Sequence, residues 1–182
     1  MEHVQLLSKT SRILHAVIAF AMVALLAVGI YMEEFEVFAL YDIHKAFGAI
    51  VLVLAVIRVV WRISKGWPTA LGHASKVQLL VAKAIHWILI LATVVYPLSG
   101  VMMSVGGGHG LSIFGWVVVP ENIDAATGEA VALNEMIAGL GHNLHGTLTY
   151  FVIGAILLHV VGALKHHMID KDGTLTRMSP LK

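Results

Sequence analysis

Four apolar runs, near residues 13–32, 44–63, 79–104 and 144–165, dominate the pattern of hydrophobic and polar positions along this chain. Each is close to the roughly 20 residues that a helix rising 1.5 Å per residue needs to cross a hydrocarbon core. The pattern predicts an all-α fold: a transmembrane four-helix bundle forming one integral membrane domain over residues 1–182. The first run follows Lys9 and Arg12 as a signal peptide would. Its length, and its exit into Met32, Glu33 and Glu34 with no small-residue cleavage site, predict a retained helix instead. Trp67 and Pro68 stop the second helix. Pro97 and Gly100 should kink the outer half of the third unless neighbours satisfy the freed carbonyl. The longest segment outside the membrane runs from Gly106 to about His142, and its Phe114, Trp116 and Val117 to Val119 read as an interfacial stretch.

Composition agrees. Of 182 residues, 58% are hydrophobic and 13% charged, and the mean hydropathy of +0.85 lies outside the range of soluble domains. Cysteine is absent, which excludes thiolate clusters, disulfides and covalent haem attachment through a CxxCH motif. The small net charge conceals a polarity. One side of the bundle collects Lys9, Arg12, Arg58, Arg62, Lys65, Lys76, Lys83, Lys165, Lys171, Arg177 and Lys182, against Glu2, Asp170 and Asp172. The other has Lys45 as its only Lys or Arg, with Glu33, Glu34, Glu36, Asp42, Glu121, Asp124, Glu129 and Glu135. By the positive-inside rule the basic side and both termini are cytoplasmic, and the acidic side is periplasmic in a bacterium. The expected partner at this point is membrane lipid, with no nucleic acid.

The candidate chemistry lies in the histidines. His145 and His159 are fourteen positions apart in one apolar run, so they return to within roughly 40° on one helix face and sit about 21 Å apart along it. Ionisable side chains inside a span are costly and default to a functional reading. Two stacked metal centres, most naturally two haems, explain the interval. Because alternate helices run in opposite directions, depth pairs His44 with His145 on the outer side. On the inner side, His159 matches either His15 or His86, and spacing alone does not choose between them. Bis-histidine ligation leaves no vacant iron position and suits electron transfer. The same interval separates His15 from Gly29, predicting an open face for a porphyrin, and His44 from Arg58, a cation at the depth of an inner-haem propionate. Snorkelling to the interface is the competing role for Arg58. Gly48 could admit the outer ring edge, close helix packing being its alternative. Lys45, beside His44, is a second candidate propionate contact and the one local cation on the acidic side. His3, His73, His109, His142, His166 and His167 fall at ends or in loops; of these, His166 and His167 are candidates for a quinone head group.

Together the segments Ser11 to His15 (SRILH), Asp42 to Gly48 (DIHKAFG) leading to VIRVVWR, Ser112 to Trp116 (SIFGW) and Ala163 to Met178 (ALKHHMIDKDGTLTRM) resemble the bacterial cytochrome b561 family over nearly the whole chain. The resemblance implies a multi-pass protein of the bacterial inner membrane carrying two haem b groups. Carried to matching positions, it implies iron ligands at His15, His44, His145 and His159, which selects His15 over His86. It also implies electron exchange between ubiquinone or menaquinone and a one-electron partner at the periplasmic side. One branch of the family oxidises superoxide and reduces ubiquinone; SIFGW and HHMIDKDGTL are more similar to a branch without a settled partner. The resemblance thus implies transmembrane electron transfer between the quinone pool and a periplasmic-side one-electron partner, with superoxide (a superoxide:quinone oxidoreductase) as one candidate; the alternative is an electron-carrier subunit that passes quinol electrons to a periplasmic redox protein without turnover of its own. A histidine-lined metal channel is a poor third, because the runs of helices 1, 3 and 4 hold no Asp or Glu.

Overall fold

The computed structural model describes residues 6–68, 71 and 75–180. His3 and His73, with Glu2 and Lys182, lie outside the described residues. Four long helices carry the fold: α1 (Lys9–Phe35), α2 (Tyr41–Lys65), α3 (Lys76–Gly106) and α4 (Glu135–Lys165). All four are long and apolar enough to cross a membrane, as the hydropathy pattern predicts, and they pack as a bundle.

Local chemistry sets the helix ends. Ser8 caps α1 by accepting from the Ser11 amide, and Ser75 opens α3 with a reciprocal capping box to Gln78. Asn134 caps α4 through the Ile137 amide. That cap corrects the expected start of α4 near residue 144: the helix begins at Glu135, outside the apolar run, because capping rather than hydropathy decides where it starts. Pro97 does not break α3, which is helical throughout Lys76–Gly106. The stretch expected at the interface forms a hairpin, β1 (Leu111–Ile113) against β2 (Trp116–Val119), turned by Phe114 and Gly115 with φ of 48° and 87°. Beyond α4 the chain makes one π turn (His166–Asp170) and a short helix α5 (Thr174–Met178). The Leu7 amide donates to the Arg177 carbonyl and Arg12 donates to that of Ser179, so the two ends of the described chain meet at the basic end of the bundle.

The core is a thin apolar layer to which all four long helices contribute: Ile18, Met22 and Leu26 of α1, Val51 of α2, Ala92 and Tyr96 of α3, and Val152 of α4. Met22 lies seven positions from His15 and from Gly29, Val51 seven from His44 and from Arg58, and Val152 seven from His145 and from His159. The heptad half-interval keeps each on the histidine face, about 10 Å from either neighbour, so a packed layer separates two polar levels. At the acidic end α3 and α4 approach closely over small residues. A β-carbon on Gly141 would lie 2.8 Å from the Ser99 carbonyl oxygen, and one on Gly106 2.9 Å from the Ala138 amide nitrogen. In lipid, where apolar burial gives helices little reason to associate, such close packing is a main attraction.

Candidate functional site

Two histidine pairs bridge the helices, one on each side of the core layer. At the acidic end His44 of α2 faces His145 of α4, with ring centroids 6.3 Å apart and planes at 88°. At the basic end His15 of α1 faces His159 of α4, at 6.1 Å and again 88°. A metal–imidazole bond of about 2.0–2.1 Å puts each ring centroid about 3 Å from the metal, so two rings on opposite sides of one ion stand about 6 Å apart. Both pairs meet that separation. The donor set, four neutral imidazoles and no thiolate, suits haem iron.

His145 is the most firmly held of the four. Its ring stacks on Tyr96 at 4.3 Å and 3°, and its Nδ1–H donates to the Tyr96 carbonyl at 3.1 Å with the Ser99 hydroxyl at 3.0 Å. The Tyr96 hydroxyl is in turn hydrogen-bonded to Thr149, whose hydroxyl donates to the His145 carbonyl. Engaging Nδ1 in this way leaves Nε2 to face its partner and fixes the tautomer a metal requires. Sequence reasoning missed Tyr96, Ser99 and Thr149. The sequence marks Gly100 only as a kink residue; its α-carbon supports the imidazole, and a β-carbon there would stand 3.1 Å from His145 Cε1.

Gly29 plays the matching part against His44, where a β-carbon would lie 3.2 Å from Cε1. This corrects the expectation that Gly29 leaves an open face: it makes room for an imidazole. Gly48 does border open space, with nothing within 4 Å of a β-carbon built on it. His44 Nδ1 is buried and has no hydrogen-bond partner among the described residues.

The basic-end level is more crowded. Arg58 donates to His15 Nδ1 at 3.0 Å. A guanidinium can only donate, so a neutral His15 carries its proton on Nε2, the reverse of the arrangement at His145. His86 of α3 also reaches His159, with centroids 5.3 Å apart and planes at 74°. That is closer than two rings sharing a metal would stand, whereas His15 is at the required distance. One turn toward the basic end, Trp61 donates to the Ser11 hydroxyl.

Of the remaining candidates, Lys45 is paired with Asp42 at 2.9 Å and lies 3.4 Å from the His109 carbonyl, tying α2 to the segment after α3. His166, at the end of α4, donates through Nδ1 to Asp172 at 2.6 Å, with Asp170 at 3.2 Å. Lys165 pairs with Asp170 at 2.6 Å. Burial tends to raise the Asp172 carboxyl, but hydrogen bonds from Thr174 and His166 hold it below the usual carboxylate range. His166, Asp170 and Asp172 are close enough to share a cation, but the Lys165 ammonium already engages Asp170.

Comparison with known proteins places this geometry. The chain matches the family described as prokaryotic cytochrome b561 over residues 6–180. It is 34% identical over 170 residues to cytochrome b561 homolog 2 of Escherichia coli (strain K12), covering 91% of this chain and 85% of the relative. It is 31% identical over 140 residues to a protein of Yersinia pestis named probable superoxide oxidase CybB, covering 77% of this chain and 74% of that one. Cytochrome b561 homolog 1 of Escherichia coli (strain K12) is 30% identical over 142 residues, 76% of this chain.

Proposed function

The chain belongs to the prokaryotic cytochrome b561 family, integral membrane proteins of electron transport that carry b-type haem, and from that premise we propose that it holds two haem b groups in series. One would lie between His44 and His145, the other between His15 and His159. The observation that carries this reading is the near-equal separation of the two pairs, 6.3 and 6.1 Å, at one interplanar angle. When bound, haem supplies reversible one-electron chemistry at iron; the protein supplies ligation, spacing and electrostatics.

The residues fit the group unequally. At the acidic end His145 is already oriented with Nε2 free, and Gly48 opens on space. At the basic end the bond from Arg58 must be released before His15 can ligate through Nε2, because ligation needs the unprotonated nitrogen. The freed guanidinium is then a charge-assisted partner for a propionate at that depth. Lys45 is the corresponding cation at the acidic end. His86 is a neighbour of the basic-end site rather than its ligand.

Electrons would pass across the bilayer between a one-electron partner on the acidic, periplasmic side and ubiquinone or menaquinone on the basic, cytoplasmic side, with His166 contacting the quinone head group. Superoxide is one donor consistent with the name of the Yersinia relative. It would lose one electron to become oxygen, two such events reducing one quinone to quinol with two protons.

A second reading has its own support. The carboxylates of the acidic side repel an anion and attract a cationic protein, and Lys45 is already neutralised by Asp42. On that reading the chain hands quinol electrons to a periplasmic redox protein and has no substrate turnover alone. Stopped-flow absorbance of the purified, oxidised protein mixed with superoxide, with and without ubiquinone, separates the two. Fast haem reduction followed by quinone-dependent reoxidation is the oxidoreductase result. Haem bands that superoxide leaves unreduced give the carrier, and a preparation without haem absorbance sinks both.

A further inference from the structure

The two histidine levels stand in opposite electrostatic surroundings. At the basic end the half-buried Arg58 guanidinium lies 3.0 Å from His15 Nδ1, and no ion pair reaches it among the described residues: the described carboxylates of that end, Asp170 and Asp172, are engaged by Lys165 and His166. Arg62, one turn further on, donates to the neutral Gly66 carbonyl at 3.0 Å and adds a second positive charge. At the acidic end the signs reverse. The Ser99 hydroxyl donates to the Tyr96 carbonyl at 2.6 Å, so its oxygen and that carbonyl both accept from His145 Nδ1–H. An imidazole whose second nitrogen donates is the more basic ligand. Lys45 is paired with Asp42, and the other carboxylates of that side, Glu33, Glu34, Glu36, Glu121, Asp124, Glu129 and Glu135, are exposed, where salt screens them beyond about 8–10 Å. The groups next to the rings therefore decide.

We propose that Arg58 at one level, and the Tyr96 carbonyl and Ser99 hydroxyl at the other, make the basic-end haem the higher-potential centre, so that electrons run downhill from the acidic end to the basic end. The proposal rests on the two-haem reading above and deepens it by giving the path a direction. Ferric haem carries one more positive charge than ferrous haem, so a neighbouring cation favours reduction and a more basic ligand favours the oxidised form. In the step, one electron leaves the acidic-end centre, which goes from ferrous to ferric, and reduces the basic-end centre from ferric to ferrous; no bond forms and no proton moves. Arg58 acts this way whether it stays on His15 or turns to a propionate, because α2 holds it at the depth of His15. A unit charge roughly 10 Å from the iron, at an effective dielectric of about 20, favours the added electron by about tenfold or more. Arg58 and Ser99 are positioning residues, acting through the ligands and the local field and not on a substrate. A purely structural role for Arg58, bracing α2 against α1, is the competing explanation, and it predicts no change of potential confined to one haem.

The test is a spectrophotometric redox titration of the full chain saturated with haem, with His145→Ala and His159→Ala, each left with one haem, assigning the two steps. The basic-end haem should be reduced first, at a potential at least 59 mV higher, which is a tenfold preference for a one-electron couple. Arg58→Gln keeps a hydrogen-bond donor and removes the charge; it should lower the basic-end potential by about that amount and leave the acidic-end potential in place, while Arg58→Lys restores most of the loss. Ser99→Ala removes an acceptor from His145 and should raise the acidic-end potential alone. Equal potentials, a higher potential at the acidic end, or an Arg58→Gln variant that shifts both steps alike or neither, overturns the proposal. Should Arg58→Gln not take up haem at the basic end, the order of the two steps in the wild type decides. One haem per chain by pyridine haemochrome means that the two-haem reading itself fails; two haems with the basic-end one harder to reduce removes the gradient alone.

Discussion

Arg58 donates to Nδ1 of His15 at 3.0 Å, so at the basic-end level a cation sits on the ring nitrogen that a haem ligand ordinarily uses to donate. At the acidic-end level the corresponding nitrogen of His145 donates to a backbone carbonyl. The two levels of one bundle are thus prepared differently. If Arg58 turns to a propionate when haem binds, replacing it removes a hydrogen bond to a charged group, about 1.5–3 kcal/mol. Arg58→Leu is then expected to weaken haem binding at the basic end roughly tenfold to a hundredfold and to leave the acidic-end site intact. Arg58→Lys should recover part of the loss, a point charge being a poorer substitute for a fork. Haem titration of the apoprotein, resolved by the two sites' spectra, measures it; equal affinities in Arg58→Leu and wild type would remove Arg58 from the site.

The histidine pairing predicts selective loss. His145→Ala should leave one haem per chain, held by His15 and His159, and His159→Ala should leave the one held by His44 and His145. His86→Ala should retain two, because its 5.3 Å approach to His159 is too close for a shared metal while His15 stands at 6.1 Å. The haem-to-protein ratio from the pyridine haemochrome of each variant decides. Loss of both haems in either single ligand variant contradicts independent sites, and loss of one in His86→Ala makes His86 the ligand.

Much of this arrangement is legible in the sequence, for a physical reason. A charge-capable residue inside a span is costly enough to be rare, and helical geometry turns a fourteen-residue interval into shared direction and known depth, so His44, His145 and His159 declare themselves. His15 and His86 do not separate, because depth says nothing about which neighbouring helix faces α4. The orienting groups are silent too: Tyr96, Ser99 and Thr149 are ordinary residues of a span until packing brings them to His145. Hydropathy likewise misplaces the start of α4, where a cap at Asn134 carries the helix into polar sequence, and it misses the hairpin at residues 111–119, whose turn depends on positive φ at Phe114 and Gly115.

Asp172 carries a pH dependence with a definite sign. Its carboxyl is held below the ordinary value of 3.8 by Thr174 and His166 against the opposing effect of burial. A carboxylate depressed in the folded state adds stability that is fully present above its unfolded pKa and is lost as pH falls through the lower folded value. The melting-temperature difference between wild type and Asp172→Asn should therefore be constant from pH 7 to about pH 5 and shrink toward zero below about pH 3.8. A difference that grows on acidification would mean that Asp172 is strained rather than stabilised.

Gly29 and Gly100 occupy equivalent places, one under each imidazole of the acidic-end pair, and a β-carbon would approach His44 Cε1 to 3.2 Å and His145 Cε1 to 3.1 Å. Contacts so short require the ring to withdraw by a few tenths of an ångström, and the two rings differ in their freedom to do so. His145 is stacked on Tyr96 and hydrogen-bonded to its carbonyl, so withdrawal breaks contacts already made. His44 has no hydrogen-bond partner at Nδ1 among the described residues and can turn without losing one. Gly100→Ala is therefore expected to cost overpacking of about 1–3 kcal/mol, roughly a five- to hundredfold loss of haem affinity at the acidic end. Gly29→Ala should remain close to two haems per chain. The haem-to-protein ratio after dialysis against apomyoglobin, a haem acceptor, measures both. The reverse order of sensitivity would mean that His44, and not His145, is the rigid member of the pair.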